Sequence, residues 1–588
     1  MPASLRQSRS VLFLSIATLI LGPATPGMSR TPSGPVASAA ESPVRCHRGE
    51  TGYAPPMYSA IPAPSPPPPL VSHDVASEPQ ASAQDVVVTS QRVAPSLQSS
   101  PIAISPMKAP FTYPAQVAEG RERYGGKDVS GIFAVAQQPV STFSIDVDTG
   151  SYANVRRFLT LGQTPPVGAV RTEEMLNYFR YDYPLPADRS RPFSVTTDMA
   201  TTPWNPDTRL LRIGIKGYDI PREQRPAANL VFLVDVSGSM YDQDKLPLVK
   251  SALSMLADRL SPRDKVSIVV YAGAAGIVLE PTSNPAYVKA ALDCLQAGGS
   301  TAGGQGMELA YATARANFVP GGVNRVIMAT DGDFNVGISS DEGIEAIVKK
   351  NRESGITLTT LGFGQGNYNE AMMEHVADVG NGNYAYIDSA LEAQKVLDEE
   401  MAATLFTIAK DVKIQIEFNP ALVREYRLIG YENRALAEED FDNDKVDAGD
   451  IGAGHQVTAL YEIVPADAKG WLPARHFEGN RPAAASPLSS GDLAWLKLRY
   501  KLPDGDRSML IERPVPAALA ASAQAPRGDL AFASAVAAFG QKLRGDKYLG
   551  SFSYADIRQL AGDQHGYLRE EFLKLTSLAG KGQVASAE

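Results

Sequence analysis

Cysteine is almost absent: Cys46 and Cys294 are the only two in the chain. That count excludes a cysteine-based zinc site. Cys46 falls in a stretch rich in proline, alanine and serine, and Cys294 on an amphipathic helical pattern, so no disulfide between them is expected. Long apolar runs are also missing beyond the first residues. Nothing approaches the 18 uninterrupted apolar residues of a membrane-spanning helix, so no internal transmembrane segment is expected. Positive charge is not in excess either. Lys and Arg number 55 against 65 Asp and Glu, a net charge of -10, which argues against nucleic acid as a partner because phosphate binding needs clustered cations. The balance suits solubility and cation binding.

What is present begins with length. A chain of 588 residues exceeds what one core fills, so two to four folded units are expected. Arg6 and Arg9 precede a short apolar segment at 11–21 (VLFLSIATLIL) and then small residues. This reads as a signal peptide over 1–27, with an uncleaved anchor as the alternative. A lipoprotein is not expected, since Pro43, Val44 and Arg45 precede Cys46 where a lipobox needs small and apolar residues. Residues 28–130 read as a disordered tether, extended where proline dominates, as in PAPSPPPPL (62–70). Within it, DVVVTSQRVAPSLQSSPIAI (85–104) resembles the start of the plug region of TonB-dependent outer-membrane receptors, but is read as an apolar island in a linker.

Order is expected from near Phe133. Residues 131–224 give a strand, a turn and a helix (Val155, Phe158 and Leu159 at helical spacing), then a second helix N-capped by Thr172, then two strands over 193–217. From 225 to 405 the rhythm is regular. NLVFLVD (229–235), KVSIVVYA (265–272), IVLEP (277–281), NRVIMATD (324–331), ITLTTLGFG (356–364) and NYAYI (383–387) are strands, alternating with helices at 245–260, 284–295, 305–317, 342–353, 369–379 and 389–403. Near-continuous Val/Ile/Leu strands between helices mean a doubly wound, mostly parallel six-stranded α/β sheet covered on both faces. Residues 406–520 carry the strand patterns of a β-sandwich, which the strands at 193–217 can join, so that the α/β unit is inserted between halves of one β unit. Residues 521–588 are helical, with Phe532, Val536, Phe539 and Leu543 on one apolar face.

Three separated pieces point to one edge of the α/β sheet. DVSGS (235–239) follows a buried strand, GGSTAGG (298–304) is a glycine-rich loop before a helix, and TDGD (330–333) ends another strand. In such sheets ligands bind beyond the carboxyl ends of the strands. Hydroxyl and carboxylate oxygens without His or Cys suit a hard octahedral cation, Mg²⁺ or Mn²⁺, with Ca²⁺ as a further candidate. Ser237 and Ser239 sit at i and i+2 of a turn, where both hydroxyls can face one point. Asp235 and Asp331 add negative charge.

These residues resemble the metal-ion-dependent adhesion site of von Willebrand factor type A domains: DVSGS is similar to its DxSxS, Thr301 to its threonine and Asp331 to its later aspartate. The resemblance implies a Rossmann-like fold, with Ser237, Ser239 and Thr301 binding metal. Asp235 and Asp331 would act mostly through water or as hydrogen-bond acceptors, and an acidic side chain of a partner would complete the octahedron. From about Phe143 to the C-terminus the chain resembles the bacterial YfbK-type proteins of this class, through FSIDVDTGSYANVRRFL and ATDGDFNVG (329–337). Relatives are often labelled calcium-activated chloride channel homologues; without a spanning segment, a channel is not expected here.

Other motifs have plainer readings. DVDTGS (146–151) mimics DxSxS but shows no companions, and is read as a strand-to-helix turn. His375 is read as a surface or satisfied histidine, and GFGQGNYN (362–369) as a turn rather than a phosphate loop, lacking GK[ST] and a proper GxGxxG. Asp333 is either an acceptor behind the metal ligands or a solvated loop residue. The acidic run at 438–450 is read as a solvated hairpin tip rather than a Ca²⁺ loop. The expected function is an exported, envelope-associated protein-binding module, not an enzyme, engaging an Asp or Glu of an unknown protein. The alternatives are a metal-dependent hydrolase, which lacks an identifiable general base, and a structural envelope protein with a vestigial site.

Overall fold

The strand Ala228–Asp235 is buried at every position, the pattern of a strand covered on both faces. In the computed structural model it lies inside a six-stranded sheet ordered Tyr384–Ile387, Thr357–Phe363, Val323–Thr330, Ala228–Asp235, Lys265–Tyr271 and Ala275–Thr282. Neighbours run parallel except the last pair, which is antiparallel. Alternate residues point to opposite faces. Leu230, Phe232 and Val234 meet the helices Leu246–Arg259 and Pro285–Cys294, while Val231 and Leu233 meet Gly303–Ala316. The structure describes residue 44 and residues 122–586 apart from 300, 302, 333–340, 367 and 474–490. The expected signal peptide, the 85–104 island, Cys46 and Asp333 lie outside the described residues.

Two antiparallel sheets form the β unit. One is ordered Phe133–Ala134, Val423–Ile429, Gln456–Pro465, Asn205–Gly217, Phe193–Thr202; the other Ala435–Leu436, Val140–Ser144, Thr407–Phe418, Asp492–Lys501, Ser508–Pro516. Each mixes strands from before and after the α/β unit, which is therefore an insertion between halves of one sandwich. Inward aromatic side chains join the sheets: Phe193 meets Tyr500 with ring centroids 5.1 Å apart, and Phe418 meets Tyr461 at 5.4 Å. Segment 131–224 thus completes the sheets of 406–520. The C-terminal helices cover the first sheet's outer face, where Phe532, Val536 and Phe539 pack on Leu210, Ile429 and Leu460. Arg427, buried in that sheet, reaches Glu462 at 2.8 Å and Asp546 at 2.7 Å, fixing the helices to the strands.

The structure corrects several expectations. Ordered chain reaches back before Phe133: the Arg123 amide donates to the Tyr368 carbonyl at 3.0 Å, and Glu122 pairs with Arg157 at 2.9 Å. Thr172 is the first residue of its helix, not the cap. Arg171 takes the cap position with an extended backbone and no side-chain cap bond, its guanidinium being drawn to Glu174, Glu370 and Glu374. Cys294 is disulfide-bonded, and the chain's one other cysteine is Cys46. The physical reason is local: Val44 forms an antiparallel bridge with Leu279, in the strand that leads into the helix bearing Cys294. The acidic run is only partly solvated. Asp442 and Asp444 pair with Arg499, but Asp450 is half-buried and accepts from the Asp411 amide.

DVDTGS is a strand-to-helix turn, but it has companions. Asp146 and Asp148 are buried and face Arg434 at 3.3 and 3.2 Å, and the Asp148 carboxylate accepts the Tyr384 amide at 2.9 Å. Around them Glu173, Glu174, Glu370, Glu374 and Asp378 gather with Arg171. This joint links the N-terminal segment to the α/β unit and to the loop after Val423–Ile429. Carboxylates outnumber guanidiniums here. Burial, helped by Glu432 and Asp146, pushes Glu173 from its ordinary 4.5 up to about 8; Glu174 and Glu370 move the same way, also chiefly through burial.

Two predictions follow from this architecture. Glu173 keeps in the folded state a proton that the unfolded chain releases, so its contribution to stability is full below about 4.5 and is lost as pH rises through about 8. The melting temperature should therefore fall between pH 5 and 8. Glu173→Gln should flatten that slope and stabilise at pH 8 by about 1 kcal/mol or more; an unchanged pH–melting profile would contradict the assignment. Second, digestion under non-reducing conditions should yield one cross-linked peptide pair holding Cys46 and Cys294, and Cys294→Ser should make Cys46 alkylatable in the folded protein. A freely alkylated Cys294 in protein purified without reductant would refute the bond.

Candidate metal centre

Asp235 closes a central strand of the α/β sheet and is fully buried. Its carboxylate is held from two sides: the Ser237 amide donates to Oδ1 at 2.9 Å and the Thr330 hydroxyl to Oδ2 at 2.9 Å. Burial pushes its pKa up to about 6, against the lowering pull of the Ser237 bonds, with Asp331 adding to the rise. The Asx-like turn after it puts Gly238–Tyr241 into a single 3₁₀ turn. The Ser237 and Ser239 hydroxyl oxygens then lie 3.0 Å apart, one pointing geometry for two donors.

The glycine-rich loop is stitched to this turn by backbone bonds. The Gly238 amide donates to the Gly299 carbonyl at 3.0 Å, and the Gly298 amide to the Val236 carbonyl at 2.8 Å. Gly299 adopts φ +86°, a left-handed conformation that favours glycine. Thr301, two residues on, is buried. On the third side, Asp331 directly follows the strand Val323–Thr330 and is fully buried, and the Gly332 amide donates to the Thr330 hydroxyl at 3.1 Å. The structure thus gathers the loops of Asp235, Ser237, Ser239, Thr301 and Asp331 at one sheet edge.

Three residues of this site escape a reading of the sequence. Thr330 bridges to Asp235. The Tyr271 hydroxyl lies against Asp235, and burial together with that carboxylate raises its pKa. The Lys245 ammonium reaches Asp331 Oδ2 at 3.0 Å, with both side chains buried. Thr330 stands directly before the recognised aspartate and could have been found by position; Lys245 looks like an ordinary first residue of an amphipathic helix. His375 sits on the surface, 3.3 Å from Glu345, away from these loops.

The donor set is all oxygen, and the paired hydroxyls beside two buried carboxylates fit Mg²⁺ or Mn²⁺. Among the described residues no group of three or more His, Cys, Asp or Glu is arranged to hold a metal, so a cation here depends on the serine and threonine hydroxyls. Among the same residues no helix is long and apolar enough to cross a membrane.

Comparison with known proteins agrees with this architecture. The von Willebrand factor type A domain profile matches residues 229–400, a von Willebrand factor profile matches 118–212, and a profile described as the C-terminal part of the uncharacterized protein YfbK matches 403–581. The uncharacterized protein YfbK of Escherichia coli (strain K12) is 49% identical over 496 residues, 82% of this chain and 85% of its own length. The uncharacterized protein sll0103 of Synechocystis sp. is 32% identical over 187 residues; this chain spans 43% of that protein. Among solved structures, a von Willebrand factor type A protein from Catenulispora acidiphila aligns over 68% of this chain and 91% of its own at 16% identity, TM-score 0.36. BatB from Bacteroides thetaiotaomicron aligns over 30% and 97% at 27% identity, TM-score 0.26. The type A domain marks the central unit as a protein-interaction module, and the chain belongs to the YfbK-type family of von Willebrand factor type A domain proteins.

Proposed function

We propose that this protein is an exported binding module, not an enzyme, in which Asp235, Ser237, Ser239, Thr301 and Asp331 hold Mg²⁺ or Mn²⁺ at the rim of the type A domain. Bound there, the cation supplies an open coordination position for an Asp or Glu of a partner protein. The observation that carries this reading is the 3.0 Å approach of the Ser237 and Ser239 hydroxyls beside a carboxylate locked by the Ser237 amide and the Thr330 hydroxyl. The same bonds speak for binding over catalysis. Both oxygens of Asp235 already accept donors and Asp331 pairs with Lys245, so neither is poised as a general base. Export draws support from the signal-like N-terminus and from the disulfide at Cys294, since such bonds persist in oxidising compartments.

The test is Mn²⁺ titration of the full chain, followed by loss of the free-ion electron paramagnetic resonance signal. One site per chain is expected. Ser239→Ala and Asp235→Ala should weaken it by about tenfold or more while the circular dichroism spectrum stays native. A partner captured from envelope extracts should elute with EDTA and fail to bind the Asp235→Ala protein. Mn²⁺ binding that is absent, or unaffected by both substitutions, would sink the proposal.

A further inference from the structure

Lys245 is the N-cap residue of the helix Leu246–Arg259, yet its side chain does not reach for solvent as a surface lysine does. It runs inward, 5% exposed, and places its ammonium 3.0 Å from Oδ2 of Asp331, which is 0% exposed. The path is confined. Gly364 packs directly on the lysine stem, at φ +74°, and a Cβ there would collide with Lys245 Cγ and Cε. Gly364, just past the strand Thr357–Phe363, therefore acts as a roof that keeps the lysine stem in place.

A buried positive charge beside an expected divalent cation is costly unless it serves the charge balance. In formal charge Asp235, Asp331 and Lys245 sum to -1. A divalent cation brings the set to +1, and one carboxylate from outside brings it to zero. Without the lysine the residues would sum to -2, the loaded site would be neutral already, and an external carboxylate would make it negative.

We propose that Lys245 is a positioning residue that sets this charge: it weakens capture of a bare cation and leaves the loaded site one positive charge in excess, so that cation and partner carboxylate bind as a coupled pair. The inference rests on the metal reading of the preceding subsection and adds a residue outside the recognised motif. Coupling of this kind is reciprocal, each ligand tightening the other by the same factor.

The experiment is Mn²⁺ titration of the full chain at constant ionic strength, with and without acetate as the carboxylate probe. Wild type is compared with Lys245→Met and with Lys245→Gln, which keeps a hydrogen-bond donor for Asp331 and decides the matter if the methionine protein does not fold. Both variants are expected to bind Mn²⁺ alone roughly tenfold more tightly than wild type. Acetate should tighten Mn²⁺ binding in wild type and do so less in the variants. If Lys245 only steadies Asp331, the variants will instead bind Mn²⁺ as weakly as wild type or more weakly. That result, or a wild-type affinity indifferent to acetate, overturns the role assigned to Lys245 while leaving the metal site standing. A wild-type protein that binds no Mn²⁺ overturns the metal reading itself and this inference with it.

Discussion

The site depends on one buried carboxylate accepting two hydrogen bonds, one from the turn that follows it and one from a neighbouring strand. Asp235 takes the Ser237 amide from its own turn and the Thr330 hydroxyl from the neighbouring strand, without exposure to solvent. An ionised carboxyl in such a place is tolerable only because both oxygens are satisfied. Remove those donors and the turn has no reason to place Ser237 and Ser239 together. The glycine-rich loop would in turn lose the fixed Val236 and Gly238 backbone groups to which it is bonded. The geometry of the hydroxyls is therefore a consequence of a charge that cannot be left unpaired.

The rest of the chain solves a similar difficulty on a larger scale. Inserting an α/β unit between halves of a sandwich brings buried surfaces of three chain segments into contact, and arginines carry much of the joining. Arg156 reaches Asp388, Glu392 and Glu571, and so ties the N-terminal helix to the end of the α/β unit and to the last helix. Arg427 ties sheet to C-terminal helices, and Arg434 ties the sandwich to the helix Glu370–Val379. The planar guanidinium can pair with several carboxylates at once, which a lysine does less well.

What could be read from the sequence was what is local. Strands such as NLVFLVD announce themselves because every residue is apolar, and DVSGS, Thr301 and Asp331 because their types and order fit one cation. The insertion was legible from the like patterns at 193–217 and after 406. What stayed hidden was non-local pairing. Arg171 displaced Thr172 as the cap because its guanidinium meets Glu370 from 199 positions along the chain. Asp146 and Asp148 looked solitary because Arg434 lies far along the sequence. The bond at Cys294 followed from a short bridge at Val44 that composition alone could not show. Lys245 and Asp331 are 86 positions apart, and helical periodicity assigns a lysine there to solvent.

These non-local contacts converge on the rim of the candidate site. Gly364 roofs Lys245, the Gly366 amide donates to Glu122 at 2.8 Å, and Arg123 bridges to Asn369. Asn369 caps the helix whose first residue, Glu370, pairs with Arg171. Gly332, just after Asp331, sits so close to that cap that a Cβ would come within 2.7 Å of the Asn369 amide nitrogen. The segment before the α/β unit thus braces the loop that lies over the lysine and against the last acidic residue of the site. A type A unit excised at its own boundaries would keep its core strands and its DxSxS turn. It would lose the partners of Gly366, Asn369 and Glu370, and with them the support of the loop that confines Lys245 beside Asp331.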